Sequence, residues 1–126
     1  MNRSLLQGYR ILIVEDEYLL AMELHSSLES AGATVIGPVG SVDDALSMLD
    51  LASELDAAVL DVNLRGQKVF EFADALKERG VPFIFTTGYE SSIFPERYAD
   101  VPRCEKPFET EIVAHAIQET LSRKAH

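Results

Sequence analysis

Acidic, hydroxyl and basic side chains follow four apolar segments of the chain. The first segment runs into Glu15-Asp16-Glu17 and another into Asp61. A later one is followed by Thr86-Thr87-Gly88, and the last by Lys106-Pro107. Three carboxylates brought together would repel one another and raise each other's pKa unless a cation is present. Oxygen ligands of this kind suit Mg²⁺ with several retained waters, whereas this set lacks the nitrogen and sulfur ligands that zinc prefers.

The combination of these groups is typical of a site that handles a phosphoryl group. Asp61 would serve as nucleophile, Lys106 as a positive charge opposite the acids, and the Thr87 hydroxyl as a hydrogen-bond donor. Each residue alone has a simpler explanation, because acids before a helix complement its dipole and lysines are commonly solvated. Their joint position after separate strands favours the chemical interpretation.

Apolar patterns predict that strands and helices alternate along the chain. The predicted strands are residues 10–14, 34–36, 57–60, 81–85 and 101–104. The second is expected to close at Gly37-Pro38, and Ser41-Val-Asp-Asp44 resembles a capping box that starts a helix. Other predicted helices end before Gly32 and Gly80, both suited to helix termination.

The last quarter of the chain gives weaker signals. Residues 91–100, interrupted by Pro95, make a poor helix at best. Residues 109–123 are predicted to form the final helix. Its inward-facing residues are expected to be Ile112, Ala116, Ile117 and Leu121.

Strands that alternate with helices imply parallel strands joined by right-handed crossovers. The fold class predicted is therefore α/β: a flavodoxin-like, doubly wound (βα)5 domain with strand order 2-1-3-4-5 and helices on both faces. Ligands of such folds bind beyond the carboxyl ends of the strands, where the winding reverses. Strands one and three are then neighbours, so Glu15, Asp16 and Asp61 should converge within a few ångströms.

Composition limits the partners. With 126 residues, the chain is expected to form one domain, residues 1–126, with no effector domain. A net charge of −10 argues against direct contact with nucleic acid or an anionic membrane. No apolar stretch is long enough for a bilayer or typical of a secretion signal. The single cysteine, Cys104, fits a reducing cytoplasm, in which it would be a small strand hydrophobe.

The sequence resembles the receiver domain of two-component response regulators. The residues that carry the resemblance are Glu15-Asp16, Asp61, Thr87-Gly88 and Lys106-Pro107. The resemblance covers nearly the whole chain and implies that Asp61 takes a phosphoryl group from a histidine kinase or phosphotransfer protein. It also implies that Asp16 and Asp61 bind Mg²⁺ directly, with the Asn63 backbone carbonyl as a ligand and Glu15 acting through water. Lys106 and Thr87 would contact the phosphoryl group, and the Lys106–Pro107 peptide would be cis.

The stretch PFIFTTGYE also resembles the hallmark of the subgroup nicknamed FAT GUY, Pro-Phe-x-Phe-Ala-Thr-Gly-Tyr, with Thr86 in place of alanine. That subgroup is commonly stand-alone and served by HWE-type kinases. Gly88 would leave open space and a free N–H beside the phosphoryl group. Many receivers carry an aromatic residue where this chain has Arg103, and a proline where it has Arg65. We therefore expect Tyr89 and residues 91–100 to carry the switch.

Three other functions remain as alternatives. A haloacid-dehalogenase-type phosphohydrolase would need Asp-x-Asp after the first strand, whereas Asp61-Val-Asn63 follows the third. A flavin-binding electron carrier would need a hydroxyl-rich loop where this chain has Glu15-Asp16-Glu17. A pseudo-receiver would bind partners without phosphorylation, yet here every chemical position is filled. The expected function is thus a phospho-accepting switch, not a turnover enzyme, with output through a downstream protein and a monomer or weak dimer as its state.

Overall fold

The computed structural model describes residues 5–88 and 94–125. Seven strands occur in this part of the chain: β1 (Arg10–Val14), β2 (Thr34–Val39), β3 (Ala57–Asp61), β4 (Asn63–Leu64), β5 (Gln67–Lys68), β6 (Phe83–Thr87) and β7 (Arg103–Glu105). The α-helices are α1 (Tyr18–Ser30), α2 (Val42–Leu46), α3 (Phe70–Glu78) and α4 (Thr110–Ala125). Two 3₁₀ turns cover Leu49–Glu54 and Glu96–Tyr98.

Five strands form one parallel sheet in the order β2-β1-β3-β6-β7. This is the predicted 2-1-3-4-5 order, because β4 and β5 pair only with each other as a short antiparallel hairpin. The doubly wound fold is therefore confirmed. The hairpin was not predicted, since its two-residue strands are too short to give a pattern.

Helices cover both faces of the sheet, and each face has its own apolar core. On one face, α2 and α3 pack with Phe72, Phe85 and Tyr98 among the buried side chains. On the other, α1 and α4 pack against Ile13 and Ile84. Continuous apolar strands are what a sheet covered on both faces requires. Cys104 is buried in β7, as expected for a small hydrophobic residue.

The structure corrects two local predictions. β2 does not close at Gly37-Pro38 but runs through a cis Gly37–Pro38 peptide to Val39. Ile112 does not face inward: it is 54% exposed, and the buried residues of α4 are Val113, Ala114, Ile117 and Leu121. The Ser41 hydroxyl accepts a hydrogen bond from the Asp44 N–H at 3.1 Å, so α2 begins at the predicted cap.

Within the weak segment, Glu96–Tyr98 forms a 3₁₀ turn, and residues 89–93 lie outside the described part. Among the described residues, no helix combines the length and apolar character needed to cross a membrane.

Candidate functional site

Two neighbouring strands place three carboxyl groups at one edge of the sheet. β1 ends at Val14, so Glu15 and Asp16 follow it directly, and Asp61 is the last residue of β3. Val14 pairs with Leu60 in the parallel register, which brings the next residues of the two strands side by side. One carboxylate oxygen from each of Glu15, Asp16 and Asp61 lies within 4.8 Å of the others. The predicted convergence is present.

A backbone N–H group donates to each of these carboxylates, and that of Asn63 donates to Asp61 Oδ1 at 3.4 Å. The Glu17 N–H donates to Glu15 Oε2 at 3.0 Å, across the turn that leads into α1. The Arg65 N–H donates to Asp16 Oδ2 at 2.8 Å. Arg65 has a φ of 52°, and this left-handed conformation belongs to the turn between β4 and β5. The hairpin therefore helps to position an acid that lies 49 residues earlier in the chain.

The Lys106 ammonium faces the acids from the end of β7. Lys106 Nζ lies 2.7 Å from Glu17 Oε1, 3.2 Å from Asp61 Oδ2 and 3.5 Å from Glu15 Oε2. The Lys106 backbone N–H donates to the Thr87 carbonyl oxygen at 2.7 Å, which ties the lysine to the end of β6. The Lys106–Pro107 peptide is cis.

Burial dominates the electrostatics of the site. Burial raises the pKa of Glu15 to about 8, and the negative charge of Asp61 adds to the effect. Burial also raises the pKa of Asp61, although the charge of Lys106 opposes the rise. For Lys106, burial alone would lower the pKa, but the hydrogen bond that it donates to Glu17 and the charges on Asp61 and Glu15 outweigh this effect, so the pKa is raised. The charge of Asp61 raises the pKa of Glu15 as expected, whereas the hydrogen bond with Glu15 lowers the pKa of Asp61, and for both groups desolvation is the larger cause.

The donor set suits a hard divalent cation. All three converging groups offer oxygen, the ligand that Mg²⁺ takes in proteins. Glu15 Oε1 is buried and has no hydrogen-bond partner among the described residues. A buried carboxylate oxygen without a partner is costly, and a cation or a cation-bound water would satisfy it.

Thr87 and Gly88 close the site on the side of β6. Thr87 is buried at the carboxyl end of that strand, and Asp61 pairs with the preceding residue, Thr86. No described atom lies within 4 Å of the position that a Cβ on Gly88 would take. In the part of the chain that the structure describes, Gly88 therefore leaves its Cβ side unobstructed.

Of the predicted switch residues, the structure describes Gly88 and Arg103. Arg103 lies in β7, where its guanidinium carbon is 3.6 Å from the centre of the Phe94 ring and its Nη2 donates to the Tyr98 carbonyl oxygen at 3.4 Å. The Tyr98 hydroxyl hydrogen-bonds Asp74 of α3. Arg103 thus packs on the turn at Glu96–Tyr98, and Tyr89 lies outside the described residues.

Two contacting residues were not assigned a role by sequence reasoning. Glu17 belongs to the quoted acidic triplet, and its side chain reaches Lys106. Arg65 was noted only as a departure from a common proline, yet its N–H holds Asp16. The acidic triplet carried the only usable signal, because nothing local to Arg65 indicates a partner 49 residues away.

Comparison with known proteins places these features in a family. Residues 11–118 match the response regulator receiver domain. The solution structure of SdrG from Sphingomonas melonis Fr1 shares 43% identity and a TM-score of 0.78, covering 90% of this chain and 96% of SdrG. The solution structure of the BeF3-activated conformation of SdrG from Pseudomonas melonis Fr1 shares 40% identity and a TM-score of 0.74, covering 96% of this chain and 99% of that one.

A curated relative is longer than this chain. The phyllosphere-induced regulator PhyR of Methylorubrum extorquens is 33% identical over 119 residues, which is 88% of this chain and 43% of PhyR. The chain thus spans about half the length of the curated relatives it matches; the share is 48% for the sensory transduction protein LytT of Bacillus cereus. The match to the family covers most of the chain and includes Glu15, Asp16, Asp61 and Lys106. The chain is a member of the response regulator receiver domain family.

Proposed function

We propose that Asp61 is the phospho-acceptor of this receiver. One observation carries the proposal: the almost fully buried Asp61 carboxylate lies 3.2 Å from Lys106 Nζ and within 4.8 Å of oxygens of Glu15 and Asp16. A nucleophile, a fixed cation and a set of oxygen ligands therefore surround one point. That arrangement stabilises charge on a transferred phosphoryl group.

The donor would be a phosphohistidine of a kinase or phosphotransfer protein. An Asp61 carboxylate oxygen attacks phosphorus, a P–O bond forms, and the P–N bond breaks with its electron pair returning to the imidazole nitrogen. Lys106 neutralises charge on the phosphoryl oxygens, and the Thr87 hydroxyl donates a hydrogen bond to one of them. Apart from this self-phosphorylation and the later loss of the group by hydrolysis, the domain would not act as a turnover enzyme.

Asp16 and Asp61 would hold Mg²⁺ directly, with Glu15 acting through water and the Asn63 backbone carbonyl as a further ligand. When bound, Mg²⁺ would neutralise the carboxylates and the phosphoryl oxygens. The Asn63 N–H already donates to Asp61 Oδ1 at 3.4 Å, which leaves Oδ2 for Lys106. The two Asp61 oxygens are thereby differentiated before any phosphoryl group arrives.

Phosphorylation would switch protein contacts rather than DNA contacts, in keeping with the net charge of −10. An HWE-type kinase would be the donor, and output would pass through the surface formed by the turn at Glu96–Tyr98, β7 and α4. The BeF3-activated conformation of SdrG, a relative of 40% identity, supports a switch of this kind. We further propose a cytoplasmic location, residues 1–126 as one domain, and a monomer or weak dimer.

An intact-mass assay tests the proposal. The protein is incubated with acetyl phosphate and Mg²⁺, beside Asp61→Asn and a sample with excess chelator. One phosphoryl adduct that requires both Asp61 and Mg²⁺ is the expected result. An adduct that persists in Asp61→Asn would refute Asp61 as the acceptor. No adduct with acetyl phosphate or with a phosphorylated kinase would favour a phosphorylation-independent binding module.

A further inference from the structure

Lys106 contacts a carboxylate, that of Glu17, which has no role in the proposed phosphoryl transfer. Glu17 Oε1 lies 2.7 Å from Lys106 Nζ, nearer than Asp61 Oδ2 at 3.2 Å or Glu15 Oε2 at 3.5 Å. At 2.7 Å, a charge-assisted hydrogen bond is well formed. The nearest partner of the ammonium is therefore Glu17, not the proposed phosphoryl acceptor.

The backbone of Glu17 is held in place at the start of α1. Glu17 is the N-cap residue, its N–H donates to Glu15 Oε2 at 3.0 Å, and its carbonyl oxygen accepts from the Ala21 N–H at 2.9 Å. The side chain makes no capping hydrogen bond to its own helix, which is the usual role of a polar side chain at this position. Instead, the Glu17 carboxylate accepts a hydrogen bond from the Lys106 ammonium.

We propose that Glu17 is a positioning residue that competes with the phosphoryl group for Lys106 and so limits how readily the site takes up and retains that group. The proposal rests on the proposed role of Asp61. A lysine ammonium has three N–H donors, and here it faces three carboxylates, so a phosphoryl oxygen must displace one of them.

Exposure identifies which partner gives way. The Glu17 side chain is 61% exposed, whereas those of Glu15 and Asp61 are almost fully buried. Water can solvate a released Glu17 carboxylate, but a buried carboxylate that loses its partner pays a desolvation cost. Phosphoryl binding should therefore break the Lys106–Glu17 pair and keep the contact with Asp61.

Two substitutions separate the pairing from the simple charge of Glu17. Glu17→Asp keeps the charge but is one methylene shorter, so it should not reach Lys106. Glu17→Gln keeps the reach and an acceptor oxygen but weakens the bond to a neutral one. The control is Glu29→Gln, which removes one exposed charge at the far end of α1.

Beryllofluoride is the probe, titrated in saturating Mg²⁺ and followed by the backbone amide signals of Thr87 and Gly88. Exposed ion pairs change equilibria by about two- to fivefold, so Glu17→Asp and Glu17→Gln should each bind beryllofluoride about two- to fivefold more tightly than wild type. Glu29→Gln should bind as wild type does. The Lys106 ammonium signal should be visible through slowed proton exchange in ligand-free wild type and lost in Glu17→Asp. The backbone amide signals of the core should stay unchanged in that variant, which excludes altered folding as the cause of the loss.

The outcomes separate this proposal from the proposed function. If wild type binds beryllofluoride but Glu17→Asp binds no more tightly, competition by Glu17 is refuted and the role of Asp61 stands. A gain in Glu17→Gln alone would indicate charge repulsion without pairing, which also overturns the proposal. Failure of wild type itself to bind would overturn the proposed function and this inference together.

Discussion

Replacing Glu15 by glutamine should stabilise the protein at alkaline pH, although it removes a member of the acidic cluster. Glu15 is 3% exposed, and burial followed by the charge of Asp61 raises its pKa from a usual 4.5 to about 8. The folded protein therefore holds this proton more tightly than the unfolded chain does. The stability that results is fully present below the unfolded pKa and is lost as the pH rises through the folded one.

The size of the effect follows from the two pKa values. Each pH unit between them costs about 1.4 kcal/mol of unfolding free energy, so wild type should lose roughly 3 kcal/mol from about pH 5.5 to about pH 8. Glutamine has the shape of the protonated acid and no proton to lose. The stability advantage of Glu15→Gln over wild type should therefore grow by roughly 3 kcal/mol across the same interval.

Urea denaturation followed by far-ultraviolet circular dichroism measures this, because the chain has no tryptophan. The experiment is run in chelator, with Glu29→Gln, which removes an exposed carboxyl group outside the site, as control. Adding Mg²⁺ at about pH 8 should stabilise wild type, since a cation holds the carboxylate ionised. A constant difference between Glu15→Gln and wild type at both pH values would refute the burial argument.

Three further predictions concern stability and metal binding. Phe85→Ala removes a ring packed against four other aromatic rings and should lower the unfolding free energy by about 3–5 kcal/mol in urea, whereas the exposed Leu19→Ala should change it by less than about 0.5 kcal/mol. Gly37→Ala should destabilise more than Gly66→Ala in the same assay, by about 1–3 kcal/mol: both glycines have positive φ, but only at Gly37 would a Cβ meet a backbone oxygen, 2.8 Å away in β1. Mg²⁺ at about a hundred times its Kd should raise the unfolding free energy of wild type by about 2.7 kcal/mol, and at the same concentration Asp16→Asn should gain less; an equal gain would contradict ligation by Asp16.

Strand positions and order could be predicted because the pattern is local and strong. Residues 11–14 of β1 form an uninterrupted apolar run, as expected for a strand of a sheet that is covered on both faces. The predicted end of β2 was wrong because β2 lies at the edge of the sheet. An edge strand tolerates proline, whose missing N–H is not needed by a neighbour on the open side.

The orientation of Ile112 needed tertiary information. The buried stripe of α4 runs through Val113, Ile117 and Leu121, at the four-residue spacing of one helix face. Ile112 is one position before the first of these, so it points past the edge of the stripe. Hydrophobicity alone could not show that Val113 is buried and Ile112 is exposed.

The acidic cluster could be predicted from the ends of the strands, but the resting partner of Lys106 could not. Parallel register brings Glu15 and Asp61 together wherever β1 and β3 are adjacent. The contact between Glu17 and Lys106 joins residues 89 apart and depends on the path of the chain after β1. No periodic pattern encodes a side-chain contact of that kind.

The most direct test of the central claim is to locate the phosphoryl group on the chain. After incubation with acetyl phosphate and Mg²⁺, borohydride reduction converts an aspartyl phosphate into homoserine, which tandem mass spectrometry places by residue. Our account predicts homoserine at position 61 and unmodified aspartate at position 16. Homoserine at another position, with Asp61 intact, would contradict it.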